Sequence, residues 1–401
     1  MAVNLSAPEQ LAPVAGACWA TAPAAIKKPG RDDLALLLLD AGATVAGVFT
    51  RNAFAAAPVH IARTRLAGAR ALLVNSGNAN AGTGRPGHAD ALACCEHAAV
   101  ALGLEADQVL PFSTGVIGQR LPLDRMIPAI DRLGDELSEA GWLAAARAIM
   151  TTDTVPKGAS RMIDIDGERV VLTGIAKGSG MIRPDMATML AFIATDATIA
   201  QADLDAALRE AMARSFNSIS VDGDTSTNDA CMACATGRAA TLSPAAPGWR
   251  DFVAALTDLA AELARAVVRD AEGATRFITL AVGGARDEAE ARAVAFTVAH
   301  SPLVKTACFA GDPNWGRILA AVGRAPVPDF SIDGVAIALD DVAIVADGEP
   351  RADYAEADAA AVMAQAEYTI AIDLGRGDAE STVWTSDLSY EYVRINAEYR
   401  S

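Results

Sequence analysis

The segment with the clearest chemical potential runs from Lys177 to Asp196. A turn of Gly178-Ser179-Gly180 leads to Ala187-Thr188, and the apolar residues Met189–Ile193 that follow are typical of a buried strand. A threonine hydroxyl held at a strand entrance, after a small residue, can attack its own preceding carbonyl. Hydrolysis of the resulting ester would leave Thr188 as a new N-terminus.

A freed Thr188 would carry a nucleophile and a base on one residue. An α-amine has a pKa of roughly 7.7–8 and accepts the hydroxyl proton near neutral pH, so no histidine is required. The alternative is an ordinary threonine at a strand entrance, in a catalytically silent protein that binds amino acids or nucleotides. Denaturing gels would separate the two hypotheses, because the silent protein would remain one chain.

The residues around Thr188 resemble a known family. The run Lys-Gly-Ser-Gly-Met-Ile, then Pro, then Met-Ala-Thr-Met-Leu-Ala-Phe is similar to the self-cleavage segment of the ornithine acetyltransferase (glutamate N-acetyltransferase) family of arginine biosynthesis. The resemblance extends through several separated segments along nearly the whole chain. It implies cleavage at Ala187-Thr188 into an α-chain of residues 1–187 and a β-chain of residues 188–401.

The activity implied by the resemblance is acetyl transfer from N-acetylornithine to glutamate through an acetyl-threonine intermediate. No metal or prosthetic group is expected, and acetyl-CoA is a possible co-substrate. An alternative that keeps the same self-cleaving nucleophile lets water take the acyl group, as an amidohydrolase or aminopeptidase does. An assay of acetyl transfer against simple hydrolysis distinguishes these two enzymes.

Two further segments offer groups that such a reaction needs. The strand predicted at Val109–Phe112 leads into Ser-Thr-Gly-Val-Ile-Gly, and a hydroxyl followed by an unhindered backbone N–H suits an oxyanion hole. The resemblance assigns that role to Thr114 and Gly115. Lys177 lies between Ala176 and Gly178, so its ammonium can approach a ligand carboxylate without competition from bulky neighbours.

The other candidate site residues rest on the resemblance. In the polar cluster Thr151–Thr154 it makes Thr151 a substrate contact, and it leaves the roles of the other threonines open. Glu272, in Glu-Gly-Ala-Thr, is expected to bind a substrate ammonium. Asn396 and Ser401 are expected to fold back onto the substrate from the end of the chain.

Strand and helix patterns alternate along the chain and must position these residues. The principal predicted elements are a core hairpin of Leu34–Leu39 and Val45–Phe49, strands at Ala71–Val74 and Val109–Phe112, a hairpin of Met162–Ile165 and Arg169–Ile175, and a helix over 249–269. We expect an α/β (α+β) layered sheet-and-helix fold, with a main catalytic domain over 1–285 and a smaller α+β domain over 286–401. The family resemblance implies that the layers are those of an N-terminal-nucleophile-like acyltransferase.

Three other stretches invite chemical interpretations that we consider weaker. The loop Asn75–Gly82 lacks the spacing of a phosphate-binding motif, so we expect it to support the site structurally. The carboxylates in Ser220–Asp229 do not have the spacing of an EF-hand, and a structural loop lining the site is expected instead of a metal site. Cys231 and Cys234 form a single CxxC in an apolar run, which favours buried reduced thiols.

Composition limits the classes of partner. The chain has 401 residues, 52% of them hydrophobic, and a formal net charge of -17, which disfavours nucleic acid and anionic membranes as partners. No uninterrupted apolar run approaches the roughly 18 residues of a membrane span, and the first residues lack a basic n-region and an apolar h-region. We therefore expect a cytoplasmic protein, and the resemblance implies assembly of the cleaved chains into α2β2 or larger.

Overall fold

The chain divides into two compact units in a computed structural model that describes residues 2–183 and 189–399. The larger unit comprises Ala7–Asn217 and Asp224–Val267, and the smaller comprises the described parts of Met1–Ser6, Ser218–Gly223 and Val268–Ser401. The division falls at Val267/Val268 rather than at the predicted 285/286. The reason is that the strand Phe277–Ala285 pairs with two strands of the smaller unit.

The strands of the described residues follow one another in this chain order. They are β1 (Ala17–Ala22), β2 (Leu34–Leu39), β3 (Thr44–Phe49), β4 (Ala71–Asn78), β5 (Val109–Val116), β6 (Lys157–Ile165), β7 (Glu168–Lys177), β8 (Leu190–Thr195), β9 (Thr198–Ile199), β10 (Ile219–Ser220), β11 (Ala230–Ala235), β12 (Thr241–Leu242), β13 (Phe277–Ala285), β14 (Ala336–Leu339), β15 (Val342–Ala346), β16 (Glu349–Pro350), β17 (Glu367–Asp373) and β18 (Ala379–Ser386).

The α-helices of the same residues are α1 (Ala57–Thr64), α2 (Gly84–Leu102), α3 (Leu123–Leu133), α4 (Trp142–Ala148), α5 (Gln201–Ala213), α6 (Trp249–Arg269), α7 (Glu288–Ala299), α8 (Pro302–Ala310), α9 (Trp315–Gly323), α10 (Glu356–Met363) and α11 (Tyr390–Ala397). The bounds of α6 coincide with those predicted from the sequence.

Two sheets face each other in the larger unit. The first has the order β1-β2-β4-β5, and the second has the order β3-β11-β8-β7-β6. Their apolar faces share a core in which the Trp19 ring lies 5.7 Å from Phe192 and 5.7 Å from Trp142. Phe112 of the first sheet meets Phe192 of the second at 5.2 Å, edge to face. This aromatic cluster fastens the two sheets together.

Helices cover the outer faces of both sheets. Apolar side chains of α2 and α3, such as Cys95 and Ile130, pack on Leu34 and Leu73 of the first sheet. On the second sheet β7 approaches α6 so closely that a Cβ added at Gly174 would lie 3.0 Å from the Leu263 side chain. The result is a helix-sheet-sheet-helix arrangement, which confirms the predicted layered α/β class.

The smaller unit is built on one mixed sheet with the order β10-β18-β13-β17-β14-β15-β16. Helices α7 and α9 bury Val294, Val298 and Val322 against this sheet. Within the described part of the chain no single helix is long and apolar enough to cross a membrane, and only α7 with α8, across a bend of 61°, would pass that test as a pair.

The predicted hairpin that leads to Lys177 is confirmed and is longer than expected. Strands β6 and β7 pair antiparallel from Lys157↔Ala176 to Ile165↔Glu168. Asp166 and Gly167 have φ of 53° and 84°, as a two-residue hairpin turn of type I′ requires. Nine successive paired residues make this a rigid support for Lys177.

The predicted core hairpin of Leu34–Leu39 with Val45–Phe49 is wrong. Both stretches are strands, but β2 lies between β1 and β4 in the first sheet, whereas β3 pairs with β11 in the second. The turn at Gly42, with φ of 89°, therefore carries the chain from one sheet to the other. Both edges of β2 are already paired, which leaves no edge for β3.

Four other elements differ from the sequence prediction. The strands expected to end at Val74 and Phe112 continue to Asn78 and Val116, so the first part of the predicted Asn-rich loop is strand. Strand β1 was not predicted, and its alternating pattern is short. Near the chain end lies α11, which was not predicted and which Ser389 caps by accepting a hydrogen bond from the Glu391 N–H at 3.2 Å.

Candidate active site

Lys177 and Thr114, which the sequence assigned to two different roles, lie in contact. The Lys177 Nζ donates a hydrogen bond to Thr114 Oγ1 at 2.9 Å, and both side chains are buried. Lys177 ends β7 and Thr114 lies near the end of β5, so the two facing sheets bring these residues together from opposite walls. The contact was not predictable from their spacing in the sequence.

This contact orients the Thr114 hydroxyl. An ammonium can only donate, so Thr114 Oγ1 must accept from Lys177 and its own proton points elsewhere. A hydroxyl that accepts from a cation is polarised and becomes a better donor. Thr114 is therefore arranged to donate to an anionic oxygen, as the predicted oxyanion role requires.

The backbone at Gly115 leaves no room for any side chain, so only glycine fits this position. Its φ is 136°, and a Cβ added there would lie 2.2 Å from the carbonyl carbon of Gly77. The cause is a bulge between β4 and β5, where Asn78 pairs with both Thr114 and Val116. Bulges re-aim the backbone near active sites, and here one follows Thr114 directly.

The strand that follows the candidate nucleophile begins beside Lys177. Leu190 pairs with Lys177 on one side and with Ala230 on the other. Met189 is also held, because its N–H donates to Asp229 Oδ1 at 3.0 Å and its carbonyl accepts from the Ala230 N–H at 3.2 Å. The predicted cleavage residues Ala187 and Thr188 lie outside the described residues.

Asp153 fastens the loop of Thr151 to the strand end at Lys177. Its carboxylate accepts from Lys157 Nζ at 2.7 Å, from the Gly178 N–H at 2.7 Å and from the Thr151 N–H at 3.0 Å. The predicted substrate contact Thr151 is thus tied through one carboxylate to the residue after Lys177. Thr151, Lys177, Thr114 and Gly115 form one connected group in the larger unit.

The electrostatics of Asp153 favour its charged form. Burial alone would raise the pKa of Asp153, but the ammonium groups of Lys157 and Lys177 and the hydrogen bonds of the carboxylate hold it well below the ordinary value. The side chains of Asp153 and Lys157 are both 0% exposed. Such a pair is costly to break, because the surviving charge stays buried without its counter-charge.

We expect Asp153→Asn to destabilise the larger unit by about 3–5 kcal/mol, since it removes the carboxylate charge that compensates the buried Lys157 ammonium. The folded-state pKa of Asp153 is depressed, so its stabilisation is present above the unfolded pKa of about 3.9 and is lost as the pH falls below it. Urea unfolding followed by tryptophan fluorescence checks this, because Trp19 and Trp142 are buried in this unit.

The matched control for that variant is Asp353→Asn, which breaks the exposed ion pair of Asp353 with Arg351. Its unfolding curve should stay close to that of the parent protein. An Asp153→Asn protein within about 1 kcal/mol of the parent would show that the buried pair does not stabilise the unit.

In the smaller unit, the predicted residues Glu272 and Asn396 contact each other. The Asn396 Nδ2 donates to Glu272 Oε2 at 2.7 Å, which ties α11 to the turn after α6. Gly273 allows this approach, because a Cβ there would lie 2.6 Å from the Tyr392 nitrogen. Ser401 lies outside the described residues.

Asp387 shapes the same turn. Its carboxylate accepts from the Thr275 N–H at 2.8 Å and from the Arg276 N–H at 3.0 Å, and Ser389 Oγ donates to the Gly273 carbonyl at 2.6 Å. These bonds fix the backbone that presents Glu272. The predicted pair of an acid and an amide is therefore a preformed unit rather than two separate side chains.

The acidic stretch and the cysteine pair, which the sequence indicated only weakly as functional sites, have the following positions in the structure. Asn228, in the acidic stretch Ser220–Asp229, donates to the carbonyls of Ala79 and Ser113 at 2.7 and 2.8 Å, so it supports the backbone beside Thr114. Cys231 and Cys234 are buried free thiols whose pKa values burial raises. Among residues 2–183 and 189–399, no three His, Cys, Asp or Glu side chains form a group that could hold a metal ion.

Two contacts near the site were not predicted from the sequence, the ion pair of Asp153 with Lys157 and the hydrogen bond between Asp229 and Met189. The spacing of Asp153 and Lys157 around Pro156 is the signal that could have indicated their ion pair. Asp229 was noted only as one of several loop carboxylates, and nothing in the sequence shows that it meets Met189. The contact of Asp229 with Met189 depends on strand register, which the sequence alone does not determine.

Comparison with known proteins identifies the family of this chain. The sequence profile of the ArgJ family matches residues 18–401. The arginine biosynthesis bifunctional protein ArgJ of Methylococcus capsulatus is 57% identical over 395 residues, which cover 98% of this chain and 97% of that protein. The protein of the same name from Pseudomonas fluorescens is 52% identical over 405 residues, and this match covers 100% of both chains.

Solved structures are also similar to this chain, among them one of an ArgJ protein. The chain in the crystal structure of the arginine biosynthesis bifunctional protein ArgJ from Bacillus halodurans has 38% sequence identity to this chain. The match covers 50% of this chain and 95% of that chain, with a TM-score of 0.48. The family matches over nearly the full length confirm the resemblance inferred from the segment around Thr188. The chain belongs to the ArgJ family.

Proposed function

We propose that this protein is an acetyltransferase that moves the acetyl group of N-acetylornithine to glutamate, giving ornithine and N-acetylglutamate in arginine biosynthesis. The observation that carries the proposal is the buried contact of Lys177 Nζ with Thr114 Oγ1 at 2.9 Å, beside the start of β8. In this contact Lys177 supplies a cation that can bind a substrate carboxylate, and Thr114 supplies a polarised hydroxyl that can donate to an oxyanion. The names of the relatives place those proteins in the same pathway.

The proposed reaction begins with cleavage between Ala187 and Thr188. The freed amine of Thr188 takes the proton of its own hydroxyl, and Oγ attacks the acetyl carbonyl. Thr114 Oγ and the Gly115 N–H donate to the developing oxyanion. The amine returns the proton to the leaving nitrogen of ornithine, and glutamate then attacks the acetyl-threonine by the reverse steps.

Substrate binding is divided among the remaining candidate residues. Lys177 is proposed to hold the α-carboxylate common to both substrates, since its ammonium is a cation beside the proposed oxyanion donor Thr114. Thr151 is the proposed contact from the loop that Asp153 holds. The substrate roles of Glu272, Asn396 and Ser401 rest on the family resemblance.

The wider properties of the enzyme follow from the same resemblance. The relatives are named bifunctional proteins, which supports acetyl-CoA as a second acetyl donor for this chain. We propose that the reaction uses no metal or prosthetic group. We also propose a cytoplasmic location and an assembly of cleaved α and β chains as α2β2 or larger, without nucleic acid or membrane partners.

A donor panel tests this function. The purified protein is incubated with N-acetylornithine or acetyl-CoA, each with and without glutamate, and acetate, ornithine and N-acetylglutamate are measured. With both substrates, N-acetylglutamate should form in step with ornithine. Double displacement should give parallel lines in double-reciprocal plots, and labelled ornithine should exchange into N-acetylornithine when glutamate is absent.

The outcomes against the proposal are equally distinct. Acetate release at the same rate with and without glutamate would indicate an amidohydrolase. Absence of ornithine release from N-acetylornithine under all conditions would indicate a binding protein.

A further inference from the structure

A pocket lined by three arginines lies at the edge of the second sheet of the larger unit. Its volume is about 350 Å³, and its lining comprises residues 47–49 of β3, Arg51, Arg63, Arg209 and Asn217. We call it the arginine pocket. These described lining residues include no acidic side chain, in a chain whose formal net charge is -17. Such a local concentration of positive charge favours an anionic ligand.

The three guanidinium groups come from three separate elements. Arg51 follows β3, Arg63 lies in the last turn of α1, and Arg209 lies in α5. Helix α5 begins against β3, where Gln201 Nε2 donates to the Val45 carbonyl at 2.9 Å. Because the three arginines are far apart in the sequence, only the folded unit brings their charges to one pocket.

Arg63 is held in place for a ligand. Its guanidinium donates to the Thr50 carbonyl, and its central carbon lies 5.8 Å from the centre of the Phe49 ring. A guanidinium has five N–H donors, so several remain for an anion. Within the described part of the chain, neither Arg63 nor Arg209 forms an ion pair with a carboxylate. The protein itself therefore does not neutralise these two charges by direct contact.

The edge of β3 adds backbone donors to the arginine pocket. In the described structure β3 is an edge strand and pairs only with β11. The Val45 carbonyl accepts from Gln201 on the open side, and alternate residues of an antiparallel strand face the same side. Gly47 and Phe49 therefore direct their N–H groups to the open edge. Backbone N–H groups combined with guanidinium groups are typical of phosphate sites.

The arginine pocket and the candidate active site lie at the same end of one sheet. A single row of paired residues crosses β3, β11, β8 and β7, namely Phe49, Ala230, Leu190 and Lys177. Neighbouring strands are about 4.8 Å apart, so the row measures about 14 Å from Phe49 to Lys177. Lys177 is the residue that contacts the proposed oxyanion donor Thr114.

Acetyl-CoA is an acetyl donor of matching dimensions. Its pantetheine arm joins the thioester sulfur to the diphosphate through about thirteen bonds, which extend over roughly 15 Å, as slightly more than four residues of polypeptide do. A diphosphate in the arginine pocket would thus allow the thioester to reach Lys177 and Thr114. N-acetylornithine carries no phosphate and has no use for such a pocket.

We propose that the arginine pocket is a phosphate-binding subsite that holds the diphosphate of acetyl-CoA while its thioester reaches the candidate active site. The inference rests on the proposed function, in which acetyl-CoA is a second donor. In that reaction the acetyl C–S bond of acetyl-CoA breaks and an acetyl C–N bond to glutamate forms. The proton lost by the glutamate amine leaves with coenzyme A as its thiol.

Arg209→Glu is the informative variant, because Arg209 is exposed on α5 and its replacement leaves the core intact. The substitution removes a charge-assisted donor and places a carboxylate beside the phosphates. We expect the Kd of coenzyme A, measured by titration calorimetry, to rise about tenfold or more. The ratio of kcat/KM for acetyl-CoA to kcat/KM for N-acetylornithine should fall by a similar factor. Acetyl-pantetheine, which has the arm without the diphosphate, should be used equally well by variant and parent.

The matched control is Arg214→Glu. Arg214 is also exposed, at the end of α5, but it does not line the arginine pocket. The variant has the same net charge as Arg209→Glu, so it measures the general effect of added negative charge, which salt screens over distance. Its Kd for coenzyme A and its donor ratio should stay within about twofold of the parent. Thermal unfolding of both variants confirms that folded protein is assayed.

Inorganic phosphate is a second source of the same chemistry, and the titrations separate the two. Phosphate should compete with coenzyme A in the parent. If Arg209→Glu weakens phosphate binding but leaves the Kd of coenzyme A as in Arg214→Glu, the pocket is a site for free phosphate and the assignment to acetyl-CoA is wrong. A raised KM for glutamate with an unchanged donor ratio would overturn the assignment as well.

The parent protein distinguishes the two levels of inference. A parent that uses N-acetylornithine but neither binds coenzyme A nor uses acetyl-CoA overturns the role of the arginine pocket and leaves the proposed transfer intact. A parent that uses neither donor contradicts the proposed function. In that case the calorimetric comparison of Arg209→Glu with Arg214→Glu still decides whether the pocket binds coenzyme A.

Discussion

Thr188→Ala protein should remain a single chain and should transfer acetyl groups roughly 10⁴-fold more slowly than the parent, or not at all. The substitution removes the hydroxyl that attacks the Ala187 carbonyl during cleavage and the acetyl carbonyl during turnover, so both reactions fail together. A loss of this size is typical of removing a covalent nucleophile. Denaturing gels report the cleavage, and ornithine release reports the transfer.

Thr188→Ser is the matched control for this variant, because it keeps a hydroxyl and, once cleaved, an amine on the same residue. It should be cleaved and should retain measurable transfer. A Thr188→Ala protein that stays intact and yet transfers acetyl at the parent's rate would refute the proposed nucleophile.

Thr114→Val should lower kcat by about 100-fold to 1,000-fold, the range for loss of one oxyanion donor. Valine has nearly the shape of threonine, so the packing around the strand end is retained. It removes both the donor to the oxyanion and the acceptor of the Lys177 ammonium. Steady-state kinetics of the cleaved variant check the effect, which should appear in kcat more than in KM.

The neighbouring Ser113→Ala provides the control for Thr114→Val. Ser113 Oγ donates to Asn75 Oδ1 at 2.6 Å and is buried like Thr114, but it alternates to the other face of the strand. Its loss should affect stability and leave kcat within a few-fold of the parent. Equal losses of kcat in the two variants would mean that the Thr114 hydroxyl has no special role in catalysis.

Local sequence signals predicted much of the fold. The apolar periodicity of α6 and the Asp166-Gly167 turn are encoded in neighbouring residues, and both elements formed as expected. The association of β2 with β1 and β4 rather than with β3 depends on which strand edges are available. That is a property of the assembled sheets, so a pattern of two apolar runs around a glycine could not reveal it.

The sequence predicted which residues form the candidate site, but not the side chains whose hydrogen bonds hold those residues in place. Motif resemblance supplied Lys177 and Thr114, whose contact lies within the described structure. Asp153 and Asp229 act through backbone N–H groups at strand ends, and such bonds depend on register between distant segments. A side chain that binds backbone leaves no distinctive spacing in the sequence, which is why these backbone contacts were missed.

N-terminal sequencing and intact-mass analysis of the purified, active protein test most directly whether Thr188 becomes a chain end. Two chains should be found, residues 1–187 and 188–401, the second beginning Thr-Met-Leu-Ala. An active preparation consisting only of the uncleaved 401-residue chain would contradict the nucleophile, the base and the mechanism together.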